Sequence, residues 1–206
     1  KAIKILMEKY PIEDLQQLKD QSWTFGTYFF GPFDDDHPAS YATHSETLVG
    51  KNPYCKRLFK AQITLTPDYP QKSPSIGVQS KAIFHPNVDF SSGSICVDSL
   101  ISDWKQNCSL LDILESIIPS LLLQPNCADP LDLDAANMMK NNPAKYLDKA
   151  RSVAEKNCQK YGQIMKIKAP DYFKQKLHEY NLDVPELITQ KIQKVEQKRW
   201  KIDLED

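Results

Sequence analysis

These 206 residues contain no strong charge imbalance, no long apolar run, no closely spaced cysteine pair and no glycine-rich phosphate loop. Each absence removes a class of function. A net charge of −1 leaves no overall footprint for nucleic acid or an anionic membrane, so neither is expected as a partner. No stretch approaches the ~20 apolar residues that a membrane helix needs, and KAIKILMEKYP lacks a signal-peptide pattern. The five cysteines, at 55, 96, 108, 127 and 158, are odd in number and scattered. That spacing suits neither a disulfide framework nor a zinc site, and it implies free thiols in a reducing compartment with no metal. Without a phosphate-binding glycine motif, no bound ATP or other cofactor is expected.

What is present is an ordinary globular composition, 41% hydrophobic and 26% charged, without repeats or low-complexity tracts. AIKILMEKY places Ile3, Leu6, Met7 and Tyr10 on one helical face. Pro11 interrupts it, and IEDLQQLKD reads as helix beyond a kink. From residue 22 the texture changes. WTFGTYFF, SYATHSETLV, RLFKAQITL and SIGVQ are rich in aromatic and β-branched residues and predict a four-stranded antiparallel meander. FDDDHPA between the first two reads as a solvated loop.

After Trp104 the pattern turns helical. SLLDILESIIPSLLL predicts a buried helix, capped by Ser109 with Asp112 three residues on, and bent near Pro119. A second helix is predicted over about 132–141. A third, with Asn142 as cap and Pro143 first, is predicted to run to about Tyr161 before Gly162. Strands followed by helices give an α+β core over residues 1–161. Residues 162–206 form a helical extension, in which Phe173, Leu177 and Tyr180 share one face and Ile188, Ile192 and Val195 another. That extension either packs back on the body or offers a docking surface.

The chemistry concentrates in FHPNVDFSSGSICVDSLISDW, residues 84–104. Taken apart, His85-Pro86-Asn87 is a turn and Cys96 a small buried hydrophobe. Taken whole, the stretch is an irregular loop between a sheet and a buried helix, where reactive groups are commonly held. Asn87 offers an amide donor and Cys96 a sulfur, while PNCADPL adds Asn126 and Asp129 from another loop. A thiol, an amide donor and a carboxylate suffice for acyl transfer from a thioester to an amine.

Tyr69-Pro70, HPN, Cys96, Trp104 and Asp129-Pro130-Leu131, in that order, resemble the ubiquitin-conjugating enzymes over roughly residues 45–161. Asn87 and Cys96 are nine positions apart, one more than in most of the family. With SPSIG and ESIIPSLLLQPN, this spacing resembles the histone-conjugating (H) subtype. The resemblance implies the ubiquitin-conjugating fold and a cytoplasmic or nuclear transferase. Ubiquitin, an activating enzyme that consumes the ATP, a ubiquitin ligase and a protein substrate would be its partners.

By the same resemblance, Cys96 matches the thiol that accepts ubiquitin as a thioester. Asn87 matches the asparagine that steadies the oxyanion or the active-site loop, and Asp129 the acid that orients the incoming lysine. Asp98 and Asn126 match positions near the same cleft, and His85 a structural residue. KQN after Trp104, and Cys55-Lys56-Arg57 in place of a glycine pair, depart from the family at partner-facing surfaces. Two other readings stay open: a scaffold that binds ubiquitin without catalysis, and a cysteine hydrolase using Cys96 with His85.

Overall fold

The computed structural model describes residues 1–33, 52–95 and 106–182. Helix α1 (Ala2–Met7) leads into five strands, β1 (Glu13–Gln17), β2 (Trp23–Phe30), β3 (Leu58–Leu65), β4 (Ser75–Val78) and β5 (Ser94–Ile95). They pair in chain order, every neighbour antiparallel. This is the expected α+β antiparallel meander, with two unpredicted strands at its edges, β1 at the start and the short β5 within the stretch read as an irregular loop.

IEDLQQLKD is not helical; Glu13–Gln17 forms the edge strand. Pro11 ends the preceding helical pattern, and the chain beyond it finds better partners on β2 than in a free helix. Glu13 lies opposite Gly26. Its carboxylate accepts from the Tyr28 hydroxyl at 2.7 Å and from Lys60 Nζ at 2.6 Å. These tertiary contacts outweigh a weak helix propensity. The predicted strand SYATHSETLV and residues 34–39 of the FDDDHPA loop lie outside the described residues.

Alternation along the central strands sets the core. Phe25, Thr27 and Phe29 on β2 face the same way as Phe59, Ala61 and Ile63 on β3, and all six are buried. The long helix packs with this core. It runs continuously through α2 (Leu110–Asp112), a π-helical turn (Ile113–Ile117) and α3 (Ile118–Leu123). Ser109 caps it by accepting from the Asp112 N–H, and the Asp112 carboxylate accepts from the Ser109 N–H in return. Pro119 has no N–H for the Glu115 carbonyl four residues back, and the turn before it widens accordingly.

Two capped helices follow. Asp132 caps α4 (Leu133–Asn141), and Asn142 caps α5 (Pro143–Asn157). Helix α5 stops four residues short of the predicted Tyr161. The Gln159 N–H bonds to the Leu58 carbonyl at 2.7 Å, which pulls the chain straight onto β3. Gly162 lies within a short helix, α6 (Tyr161–Ile164), rather than ending α5.

Beyond it, α7 (Asp171–Glu179) joins the main core. Fully buried Phe173 sits 5.3 Å from Tyr10, 6.2 Å from Tyr28 and 5.1 Å from Phe30, measured between ring centroids. Tyr10 and Tyr172 both donate to Glu115 on the π-helical turn, at 2.9 Å each. The described part of the extension therefore packs on the body. The second predicted helix of the extension, residues 185–200, lies outside the described residues.

Candidate active site

His85, Pro86 and Asn87 form a tight turn, closed by a bridge between His85 and Val88. The Asn87 N–H donates to His85 Nδ1 at 3.1 Å, and the Val88 N–H donates to the His85 carbonyl. The His85 ring is buried and meets Tyr54 edge-on, 5.8 Å between centroids. Burial pushes its pKa down to about 3, against a smaller upward pull from the Leu121 carbonyl. The imidazole is therefore neutral at physiological pH, and its Nδ1 is occupied. An aromatic floor supports the turn. The Tyr54 hydroxyl donates to the Phe84 carbonyl and lies 3.2 Å from the Tyr146 hydroxyl. Lys149 Nζ sits 3.7 Å above the Phe84 ring.

The Asn87 side chain points across to a second loop. Its Nδ2 donates to the Asn126 carbonyl at 2.8 Å and, less closely, to the Asp129 carbonyl at 3.4 Å. Its Oδ1 accepts from the Asn126 N–H at 2.8 Å. Both ends of this fully buried amide thus serve the backbone of residues 126–129. Its N–H groups steady the loop rather than stand free for an oxyanion. The Asn126 side chain accepts from the Ala128 N–H, closing a turn just before Asp129. The Pro86 carbonyl secures the far end of the loop, accepting from the N–H groups of Leu131 and Asp132 at 2.8 and 2.9 Å. Asp129 lies exposed between these anchors.

A third segment completes the arrangement. Val88 forms an isolated antiparallel bridge with Ile95 at the end of β5. Between them, Asp89 accepts from the Ser92 side chain and N–H and from the Ser91 hydroxyl. These bonds hold its pKa down to about 2. Gly93 turns the chain at φ +83°, where a Cβ would sit 2.0 Å from the Val78 carbonyl oxygen. Cys96 follows Ile95 directly in the sequence. Cys96 and Asp98 lie outside the described residues.

The structure thus brings His85, Asn87, Asn126 and Asp129 together from two loops. Three contributors gave no sequence signal of their own: Tyr54, Tyr146 and the Pro86 carbonyl. Asp132 could have been found from its position before the periodic run LDAANMM. The other cysteines differ among themselves. Cys55 and Cys158 are buried, Cys108 is half-buried and Cys127 is exposed. The Cys127 sulfur nonetheless rests 3.6 Å from Met139 Sδ, and burial of the thiol pushes its pKa up, away from thiolate. Among the described residues, no cluster of His, Cys, Asp and Glu is arranged to hold a metal ion.

The profile of the ubiquitin-conjugating enzymes matches residues 32–154, more than half of the chain. The chain belongs to this family. Its relatives agree. A Saccharomyces cerevisiae protein, "Ubiquitin-conjugating enzyme E2-24 kDa", is 34% identical over 165 residues, covering 79% of this chain and 66% of that one. The "Ubiquitin-conjugating enzyme E2-23 kDa" of Triticum aestivum is 33% identical, covering 75% of this chain and 72% of that one. A solved ubiquitin-conjugating E2 domain from Toxoplasma gondii is 26% identical, covers 66% of this chain and 81% of that one, and superposes with a TM-score of 0.52. This ubiquitin-conjugating enzyme is accordingly a thioester-forming transferase. The family's general partners are ubiquitin, an activating enzyme and a ligase.

Proposed function

We propose that Cys96 carries ubiquitin and that the loop Asn126–Asp129 receives the acceptor lysine. The supporting observation is the pair of hydrogen bonds between Asn87 and Asn126, which ties that loop to the strand pair leading into Cys96. In the first step, the Cys96 thiolate attacks the carbonyl of the ubiquitin thioester and releases the thiolate of the activating enzyme. A thiol with pKa near ~8.5 supplies enough thiolate at neutral pH, and the acyl group arrives already activated. No histidine base is needed, and His85, buried and neutral, supplies none. In the second step, a lysine amine attacks the same carbonyl and the Cys96 thiolate leaves. The amine, with a reference pKa near ~10.4, must first lose a proton. Asp129 orients it and draws that proton away.

Finer assignments follow the sequence. The Asn87-to-Cys96 spacing and the SPSIG and ESIIPSLLLQPN segments support the histone-conjugating subtype. By the same resemblance, Asp98 matches a family position near the active-site cleft. Residues 1–161 are the catalytic core, and 162–206 an extension whose helix α7 braces it. ATP is consumed by the activating enzyme, and no cofactor is held here. The setting is the cytoplasm or nucleus, with a protein substrate and neither nucleic acid nor membrane. No helix among the described residues is long and apolar enough to cross a membrane.

The test separates the two steps. The wild-type enzyme is charged, the activating enzyme is quenched, and free lysine is added. Asp129→Ala should charge normally and discharge on the order of 10²-fold more slowly, in the range of a lost acid–base group. Unchanged discharge would remove Asp129 from the mechanism.

A further inference from the structure

We infer that Asp132 is a positioning residue for the transfer step, setting the far end of the loop that presents Asp129; this rests on the role proposed for Asp129. The near end is held by Asn87. The far end depends on two bonds from residues 131 and 132 to the Pro86 carbonyl, and on where α4 begins. Asp132 occupies both arrangements. Its N–H donates to Pro86 at 2.9 Å, while its carboxylate Oδ1 accepts from the Ala135 N–H at 2.8 Å as the N-cap of α4. Ala135 and Ala136, just beyond the cap, are buried against the core and fix the helix.

The loop is therefore held at both ends, with the exposed Asp129 three residues after Asn126 and two before Leu131, and its own carbonyl 3.4 Å from Asn87 Nδ2. Without the cap, the first turn of α4 frays and the Asp132 N–H loses its fixed direction toward Pro86. Asp129 then samples many positions instead of one. What matters at position 132 is a side-chain acceptor rather than negative charge, so asparagine and serine should serve as well as aspartate.

The experiment measures single-turnover discharge of the ubiquitin thioester to free lysine as a function of pH, with the rate of charging as a check on the folded Cys96 site. Asp132→Ala should discharge about fivefold more slowly, the factor a typical lost cap carries. Its pH–rate profile should move to higher pH, as that of Asp129→Ala does, because the amine must lose its proton unaided. Asp132→Asn and Asp132→Ser should stay within about twofold of wild type. Combined with Asp129→Ala, Asp132→Ala should add nothing further, since it acts through that residue.

Wild-type discharge by Asp132→Ala, with Asp129→Ala still impaired, would overturn the inference alone. Asp132→Asn as slow as Asp132→Ala would overturn it in favour of a charge effect. Additive losses in the double variant would also overturn it. If Asp129→Ala discharged normally, the underlying reading and this inference would fall together.

Discussion

Asn87 and Asn126 bond to each other as two strands of a sheet do, although one partner is a side chain. The Asn87 amide donates to the Asn126 carbonyl and accepts from its N–H, both at 2.8 Å. A carboxamide presents the same donor and acceptor as a peptide group, so it extends backbone pairing across a gap where no strand runs. The site is thereby assembled from loops without being loose.

Removal of that amide should affect stability as well as rate. Asn87→Ala leaves the Asn126 N–H and carbonyl without their partner, which costs about 1–3 kcal/mol in urea unfolding. Charging should persist, while lysine discharge slows by no more than Asp129→Ala loses, because the loop that presents Asp129 is released. A slower discharge at unchanged stability would instead favour a direct oxyanion contact.

His85 should make the protein sensitive to moderate acid. Its folded pKa lies near 3, below the value of about 6.5 for an unfolded histidine. Between these pH values the unfolded chain binds one more proton than the native one. Stability is therefore full above about pH 6.5 and declines as pH falls, by up to ~1.4 kcal/mol per pH unit. His85→Asn keeps an acceptor for the Asn87 N–H and should remove this part of the slope. Denaturant titrations from pH 7 to pH 4 would compare the two; equal slopes would contradict the burial argument.

The glycines make a paired test. Gly93→Ala must abandon φ +83° and push a methyl group into the Val78 carbonyl, so a loss of at least ~1–3 kcal/mol is expected. At Gly26 a Cβ would meet the flexible end of Lys60 at 3.4 Å. Gly26→Ala should therefore be neutral or stabilise by up to ~1 kcal/mol, as alanine replaces glycine within a strand. Thermal melts of both variants measure the difference.

Phe173 tests the brace formed by the extension. It is fully buried among Tyr10, Tyr28 and Phe30. Phe173→Ala should cost about 3–5 kcal/mol. A chain cut after residue 161 should lose at least as much, measured by chemical unfolding. Wild-type stability of the shortened chain would show that α7 contributes only a surface.

The residues that fold locally were the most legible in the sequence. The Ser109 capping box, the Asn142-Pro143 start and the aromatic and β-branched texture of WTFGTYFF each carry their instruction within a few positions. The strand Glu13–Gln17 was hidden because its partners, Tyr28 and Lys60, are 15 and 47 residues away. The end of α5 was hidden for the same reason, since a bond to Leu58 draws the chain away from the helix axis. At the site, chemistry-bearing side chains could be picked out by type. The Pro86 carbonyl could not, because every residue carries a carbonyl and only the fold selects this one.

The central claim is that one sulfur, Cys96, carries the acyl group. Its most direct measurement is a charging reaction with activating enzyme, ubiquitin and ATP, resolved on a non-reducing gel. The wild-type chain should give a single adduct that thiol reagents remove. Cys96→Ala should give none, and Cys96→Ser should give an adduct that resists thiols and yields to base. A thiol-sensitive adduct persisting in Cys96→Ala, carried by Cys127 or another cysteine, would contradict the account.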